Sequence, residues 1–335
     1  MKKQILLCSG FIALLWACGN GEMPKKPNGG TALKPVDYAS VKVPAFQADS
    51  AFSFIETQVN FGPRVPGSPG HQKCGQWLIQ TLKRFTPHVL VQETKATAYT
   101  GAILPLKNIM ARWNPEARER IVFFAHWDTR PRADHDPNMP EKPILGADDG
   151  GSGVGVLLEL MRVLSVDTSV RQLGVDIVLF DGEDYGEEGG APETYCLGAQ
   201  YWAKNPHIPG YTAKYGILLD MVGGKDAVFM KEGYSVQYAS HVVEKVWSLA
   251  HELGYGRFFN PQRSMSMVTD DHFFVNRDMG LPTIDIINYL DSRPKSGFPS
   301  HWHTHQDNMD IIDRQTLQAV GHTLLTLVYR ENYDL

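Results

Sequence analysis

A chain of 335 residues that is 43% hydrophobic and 21% charged has an ordinary globular balance. It can build one large core and does not require a second domain. Its formal net charge of -5 and the lack of a long basic run argue against nucleic acid as a partner.

The first residues read as a leader. Lys2-Lys3 is a positive start, and Ile5 to Trp16 is an apolar segment too short to span a bilayer. Leu15-Trp16-Ala17-Cys18-Gly19 resembles a bacterial lipoprotein signal. That resemblance implies export, lipidation at Cys18 and a periplasm-facing protein held to a bacterial membrane by a lipid anchor. Ordinary secretion with cleavage nearby is the alternative. Residues 19–43 are rich in Gly, Pro and Lys and read as a flexible tether. The expected divisions are therefore 1–18 signal, 19–43 tether and 44–335 catalytic domain. Cys74 and Cys196 are the cysteines beyond Cys18, and an oxidising compartment permits them to pair.

Asp49 to Asn60 reads as an amphipathic helix with Phe52, Ile55 and Val59 on one face. A turn-rich link, Phe61 to Ser68, leads to a second helix over Gln72 to Phe85, with Trp77, Leu78 and Leu82 inward. Val89–Thr94 and Lys107–Trp113 read as strands, and the alternation of the first places it near an edge. Ile121–Ala125 is a continuous apolar strand. Gly146-Ala147-Asp148-Asp149-Gly150-Gly151-Ser152-Gly153 then opens into a helix with Val154, Leu157, Leu158, Met161 and Leu164 on its buried face. Strands over Val175–Phe180, Gly216–Leu219 and Thr283–Ile287 follow. They are separated by helices carrying Leu197, Tyr201 and Trp202, and over Val236–Leu253; Gln315–Arg330 closes the chain. Apolar strands alternating with helices predict a single α/β domain with a twisted, mostly parallel central sheet flanked by helices.

In such sheets ligands bind beyond the carboxyl ends of the strands. Polar residues follow each apolar strand: His126-Trp127-Asp128, Asp181-Gly182-Glu183-Asp184, Asp220 and, further on, Trp302-His303. The Asp148-Asp149 turn falls in the same layer. Taken alone, Asp148, Asp149 or Ser152 reads as a helix cap. Together these carboxylates and imidazoles need a cation to offset their repulsion, and an Asp/Glu/His set without cysteine suits catalytic zinc.

The order and spacing of Phe61-Gly62-Pro63-Arg64, His126-Trp127-Asp128, Gly146 to Gly153, Asp181 to Asp184, Leu219-Asp220, Asp270-Asp271-His272 and Trp302-His303-Thr304 resemble the zinc-dependent exopeptidase superfamily. The resemblance runs from about Ser50 to the C-terminus. That superfamily contains leucyl-type aminopeptidases and glutaminyl cyclases. It implies that Asp149, not Asp148, is the metal ligand, with a bond to the next residue that is often cis in the family. Two-zinc aminopeptidases use positions matching His126, Asp149, Asp184, Asp220 and His303. The cyclases bind one Zn2+ through Asp149, Asp184 and His303. Asp270-Asp271-His272, Trp302-His303-Thr304, Asp181 to Tyr185 and Tyr195-Cys196-Leu197-Gly198 most resemble bacterial glutaminyl cyclases.

That resemblance implies conversion of N-terminal glutamine in peptides and proteins to pyroglutamate with release of ammonia. Glu183 is then the general base and acid, and Asp270 holds the leaving nitrogen and pairs with Asp220. Trp302 and Tyr195 line the substrate pocket, while His126 and Asp128 support the centre from behind. Asp285 stands where the animal cyclases have His and reads as a hydrogen-bonded core residue. A metal-free receptor ectodomain is the non-enzymatic alternative.

Overall fold

The computed structural model describes residues 37–294 and 296–335. The expected leader, Cys18 and most of the tether lie outside them. The far end of the tether segment is packed: Val41 and Val43 lie against the core, and the Tyr38 hydroxyl donates to Asp334 at 2.8 Å.

Two helices come first, α1 (Ala48–Val59) and α2 (Pro69–Phe85). The Ser68 hydroxyl accepts the His71 N–H and Pro69 takes the first helical position, so α2 starts earlier than its apolar periodicity shows. Then come β1 (Val89–Thr97), β2 (Ile103–Trp113), β3 (Glu119–His126), α3 (Gly151–Val166), β4 (Leu173–Phe180), α4 (Leu197–Lys204) and β5 (Gly216–Asp220). The chain continues through β6 (Phe229–Lys231), α5 (Gly233–Glu252), β7 (Phe259–Arg263), α6 (Asp271–Phe274), β8 (Thr283–Ile287) and α7 (Arg314–Tyr333).

Six strands form one sheet in the order β1-β2-β4-β3-β5-β8, and β6 pairs with β7 separately. β2 runs antiparallel to both its neighbours, whereas β4, β3, β5 and β8 are parallel. The mostly parallel sheet read from the sequence is present, with β1 at its edge. The apolar strands are buried on both faces. Ile121, Phe123 and Ala125 join the larger core beneath α1, α3, α5 and α7, while Val122 and Phe124 join a second core with Trp202 and Phe274.

α4 turns a different face inward than its large residues suggest. Gly198, Ala199, Trp202 and Ala203 are buried and Tyr201 is exposed, because a Cβ on Gly198 would stand 2.3 Å from the Asp181 carbonyl. The helix lies so close to the strand end that only small residues fit there.

β4 lies on one side of β3 and β5 on the other. Connections from β3 and from β4 therefore leave the sheet in opposite directions, and a crevice opens at their carboxyl ends. The turn before α3 reaches into that crevice. Gly150 takes φ 82° as the residue preceding the helix, a conformation that favours glycine, and a side chain there would strike His126. No side chain caps α3, so the capping role open to Asp148, Asp149 and Ser152 is not taken. Among the described residues no peptide bond is cis, that following Asp149 included.

Candidate active site

Two adjacent carboxylates leave the turn before α3 in opposite roles. Asp148 accepts from the Gly223 N–H at 2.8 Å and lies 2.9 Å from His301 Nε2. Asp307 in turn accepts the N–H groups of Asp148 and Asp149, at 2.7 and 3.1 Å. Asp148 is thus tied into the scaffold. Asp149 faces the crevice, with Oδ1 3.1 Å from His126 Nε2 and Oδ2 3.8 Å from His303 Nε2. Arg64, fully buried, donates to the carbonyls of Trp127, Leu145 and Gly146 and so pins the start of this turn.

The end of β4 supplies the next group. Asp181, although first in its acidic run, is not in the site. It pairs with His71 at 2.8 Å and accepts the Lys107 N–H at 2.6 Å. Asp128 accepts the N–H groups of Glu183 and Asp184 at 3.1 and 3.2 Å, and lies 3.6 Å from His126 Nδ1. Its main work is therefore on the loop after β4, with His126 more distant. Arg130 Nη1 donates to the Asp184 carbonyl at 3.0 Å and lies 3.3 Å from its carboxylate.

Asp149, Asp184 and His303 present ligand atoms all within 4.8 Å of one another, and all three side chains are buried. His303 has a left-handed backbone, φ 54°, a strained conformation of the kind that clusters at functional sites. Burial, together with the nearby Arg130 cation, holds its imidazole down to about 3, so it is neutral and free to ligate. Burial pushes the Asp184 carboxyl up to about 7 despite Arg130, and burial and the Asp184 charge raise Asp149. Asp184 Oδ2 and His303 Nδ1 are buried without a hydrogen-bond partner. Crowded carboxylates, a neutral imidazole and an orphaned carboxylate oxygen fit a divalent cation of zinc type.

His126, Asp149 and Asp220 form a second such group, again within 4.8 Å. Asp220 lies 3.3 Å from His126 Nε2, and it is also the strongest charge acting on Asp270, the partner expected for it. Burial disfavours charge on His126, but the carboxylates of Asp128, Asp149 and Asp220 outweigh it and hold the imidazole well above the ordinary histidine range. Asp270 precedes α6 and accepts the Asp271 N–H. Burial and the Asp220 charge push its carboxyl up to about 6. Asp285, expected as a hydrogen-bonded core residue, is fully buried beside Asp270, whose side chain hydrogen-bonds to it, and His272 Nδ1 is 3.9 Å away.

A cavity of about 400 Å³ opens above these groups, and Glu183, Asp270, Tyr195 and Trp302 all line it. Trp302 stacks on His303 at 3.7 Å and on Phe298 at 4.2 Å between ring centres, and Phe298 meets Tyr289 edge-on at 5.1 Å. Tyr195 lies over Arg130. Sequence reasoning missed Arg130, Phe298, Tyr289 and Asp307, and gave Cys196, although it lies in a matched motif, no place in the site. Phe298 had one available signal, an aromatic four residues before Trp302 in a glycine- and proline-rich loop; Arg130, Tyr289 and Asp307 had none. Cys74 and Cys196 are both buried and unpaired.

The fold and much of the sequence are met in known proteins. The model of peptidase family M28 matches residues 108–328. A crystal structure of Bacteroides thetaiotaomicron glutaminyl cyclase bound to N-acetylhistamine is 48% identical, with a TM-score of 0.82, covering 86% of this chain and 99% of that one. A leucine aminopeptidase precursor from the same organism is also 48% identical, with a TM-score of 0.81 and the same coverage of 86% and 99%. The Drosophila melanogaster glutaminyl-peptide cyclotransferase is 29% identical over 275 residues, 76% of this chain and 73% of that protein. The fold, the ordered motifs and the matched span establish that this chain belongs to peptidase family M28.

Proposed function

We propose that the protein is a glutaminyl-peptide cyclotransferase. It converts N-terminal glutamine of peptides and proteins to pyroglutamate and releases ammonia, with one Zn2+ held by Asp149, Asp184 and His303. The observation that carries this reading is the arrangement of the cavity. Its floor is the Asp149/Asp184/His303 group, Glu183 and Asp270 stand beside it, and an aromatic wall closes one side. Relatives named as cyclases across most of the chain support it.

A bound zinc supplies Lewis acidity that polarises the γ-amide carbonyl. Trp302 and Tyr195 confine the glutamine side chain, so that its α-amine lies near its own amide carbon. Glu183 takes the proton from the α-amine as the new C–N bond forms. It returns that proton to the departing nitrogen as the old C–N bond breaks, and ammonia leaves. Burial and the charges of Asp270, Asp184 and Asp271 push the Glu183 carboxyl well above the ordinary range, although His126 opposes them. A carboxyl shifted in this direction holds a proton more readily than an ordinary one, which suits a group that must take a proton and return it. Asp270 accepts a hydrogen bond from the leaving amide nitrogen.

One observation favours a second reading. His126, Asp149 and Asp220 are already drawn together as a second metal site would need, and a two-zinc aminopeptidase uses those positions. Incubation with Gln-initiated and Leu-initiated peptides separates the two. The cyclase releases ammonia from the first and nothing from the second. Rapid release of leucine would make the aminopeptidase the better assignment. The lipid anchor at Cys18 and the periplasm-facing location are part of the same proposal. They rest on Leu15 to Gly19. Mass spectrometry of the mature N-terminus tests them: an unmodified terminus downstream of Cys18 removes the anchor and leaves export intact. Among the described residues no helix is long and apolar enough to cross a membrane.

A further inference from the structure

The base proposed above stands in a setting that does little to hold it still. Glu183 follows Gly182, whose φ is 72°, and its charge neighbours include Asp184, Asp270 and Asp271. Asp128 fixes its backbone N–H, not its carboxylate. Among the described residues, one hydrogen-bond donor reaches that carboxylate: the Cys196 thiol, with Sγ 3.3 Å from Oε1.

Cys196 is built into place for this contact. Its own N–H donates to the Glu183 carbonyl at 2.9 Å, and the Leu197 N–H donates to the Gly182 carbonyl at 3.0 Å. These two bonds hold residues 182–183 and 196–197 side by side. The thiol is completely buried, so its position is set by packing rather than solvent. Its backbone is left-handed, φ 56° and ψ 34°, a conformation that favours glycine. A side chain therefore stands where the backbone favours having none. Cys196 also falls within 4.8 Å of both Glu183 and Asp270, which places its sulfur at the inner edge of the reacting layer.

We infer that Cys196 is a positioning residue, whose thiol hydrogen bond fixes the rotamer of Glu183 so that the other carboxylate oxygen faces the substrate amine. A thiol suits this task. It is a weak donor, so it orients the carboxylate while taking little from its strength as a base. A full positive partner would hold Glu183 ionised and unable to return the proton. Burial pushes the Cys196 thiol well above its ordinary range, with the Glu183 charge adding to it, so the sulfur keeps its proton and stays a donor.

The inference rests on Glu183 being the base, a role it would hold in either the cyclase or the aminopeptidase reading. The test compares full-length wild type with Cys196→Ala and Cys196→Ser, measuring kcat, KM, bound zinc and thermal unfolding. The wild type is first assayed on Gln- and Leu-initiated peptides, and the variants are then read on whichever substrate it turns over. Failure of the cyclase reading is thereby seen separately from failure of this one. Loss of one hydrogen bond lowers kcat of Cys196→Ala by about threefold to tenfold, with KM and zinc content unchanged. Cys196→Ser, which keeps a donor, recovers most of that loss. Wild-type kcat in Cys196→Ala overturns the proposal. So does a Ser variant as slow as the Ala variant, or a loss that tracks zinc content or unfolding temperature, since the cysteine would then serve packing alone.

Discussion

Two buried charge clusters sit on the same sheet, and they are built to opposite rules. Near the start of β4, Asp176 accepts from Arg120 Nε at 2.7 Å and from the Tyr211 hydroxyl at 2.7 Å, and Arg112 lies 3.5 Å away. Two guanidinium groups and a phenol surround one carboxylate. At the other end of the strands, Asp149, Glu183, Asp184, Asp220 and Asp270 line one cavity, and several of their buried neighbours lack any hydrogen-bond partner. The first cluster carries its own cations, although Arg112 Nε makes no hydrogen bond. The second is short of positive charge, and a fold keeps such a deficit only where a cation or a reaction uses it.

The largest effect comes from removing the group that moves protons in the deficient cluster. Glu183→Gln keeps the shape and loses the base. Turnover falls by about a hundredfold to ten-thousandfold, while bound zinc, measured by metal analysis, stays at the wild-type level. Loss of the metal in this variant would make Glu183 a ligand and redistribute the roles.

The cluster with its own cations should break in the opposite way. Arg120→Met leaves Asp176 short of its bidentate partner in a buried setting. Removing one member of a buried ion pair costs about 3–5 kcal/mol. Urea unfolding should show that loss, while kcat per folded molecule is unchanged. A fall in kcat at full stability would mean that the two clusters communicate.

How much of this contrast is legible in the sequence depends on the kind of signal. The central strands and α3 are written in unbroken apolar runs, and the alternation of β1 marks it as an edge. β7 is mostly polar and exposed and contains Pro261, while β6 and α6 are too short for any period to develop. α5 starts earlier than its apolar pattern because the Glu232 carboxylate caps it, accepting from Tyr234 and Ser235, and glutamate is not a usual cap. The crowding of Asp149, Glu183, Asp184 and His303 is foreshadowed because each follows a strand. Arg130, Cys196 and Asp307 come from loops, and no pattern along the chain says that they point into the same layer. The difference between Asp148 and Asp149 is likewise tertiary, set by Gly223, His301 and Asp307.

A smaller effect sharpens the division inside the deficient cluster. His126→Ala should slow turnover by about tenfold to a hundredfold, as loss of a supporting partner does, yet leave the tightly bound zinc in place. Equilibrium dialysis of the variant measures this, and loss of zinc would move His126 into the ligand set.

The smallest effect is on acid stability. Burial opposes charge on Glu232, but His272, 3.0 Å away, and the N–H groups of Ser235 and Tyr234 prevail, holding its carboxyl at about 2 rather than 4.5. The folded value lies below the unfolded one. Its stabilisation is therefore present above about pH 4.5 and disappears as pH falls towards 2. Glu232→Gln should be less stable at neutral pH and flatter in acid-unfolding curves across that window. Curves parallel to the wild type would show that the ion pair contributes nothing there.

We propose that one metal ion fills the charge deficit at Asp149, Asp184 and His303, and that His126 and Asp220 satisfy each other instead of holding a second. The direct measurement is zinc per chain after exhaustive dialysis, for the wild type and for Asp149→Ala. The wild type should hold close to one zinc tightly, and the variant almost none. Two tightly held zincs per wild-type chain would contradict the proposal.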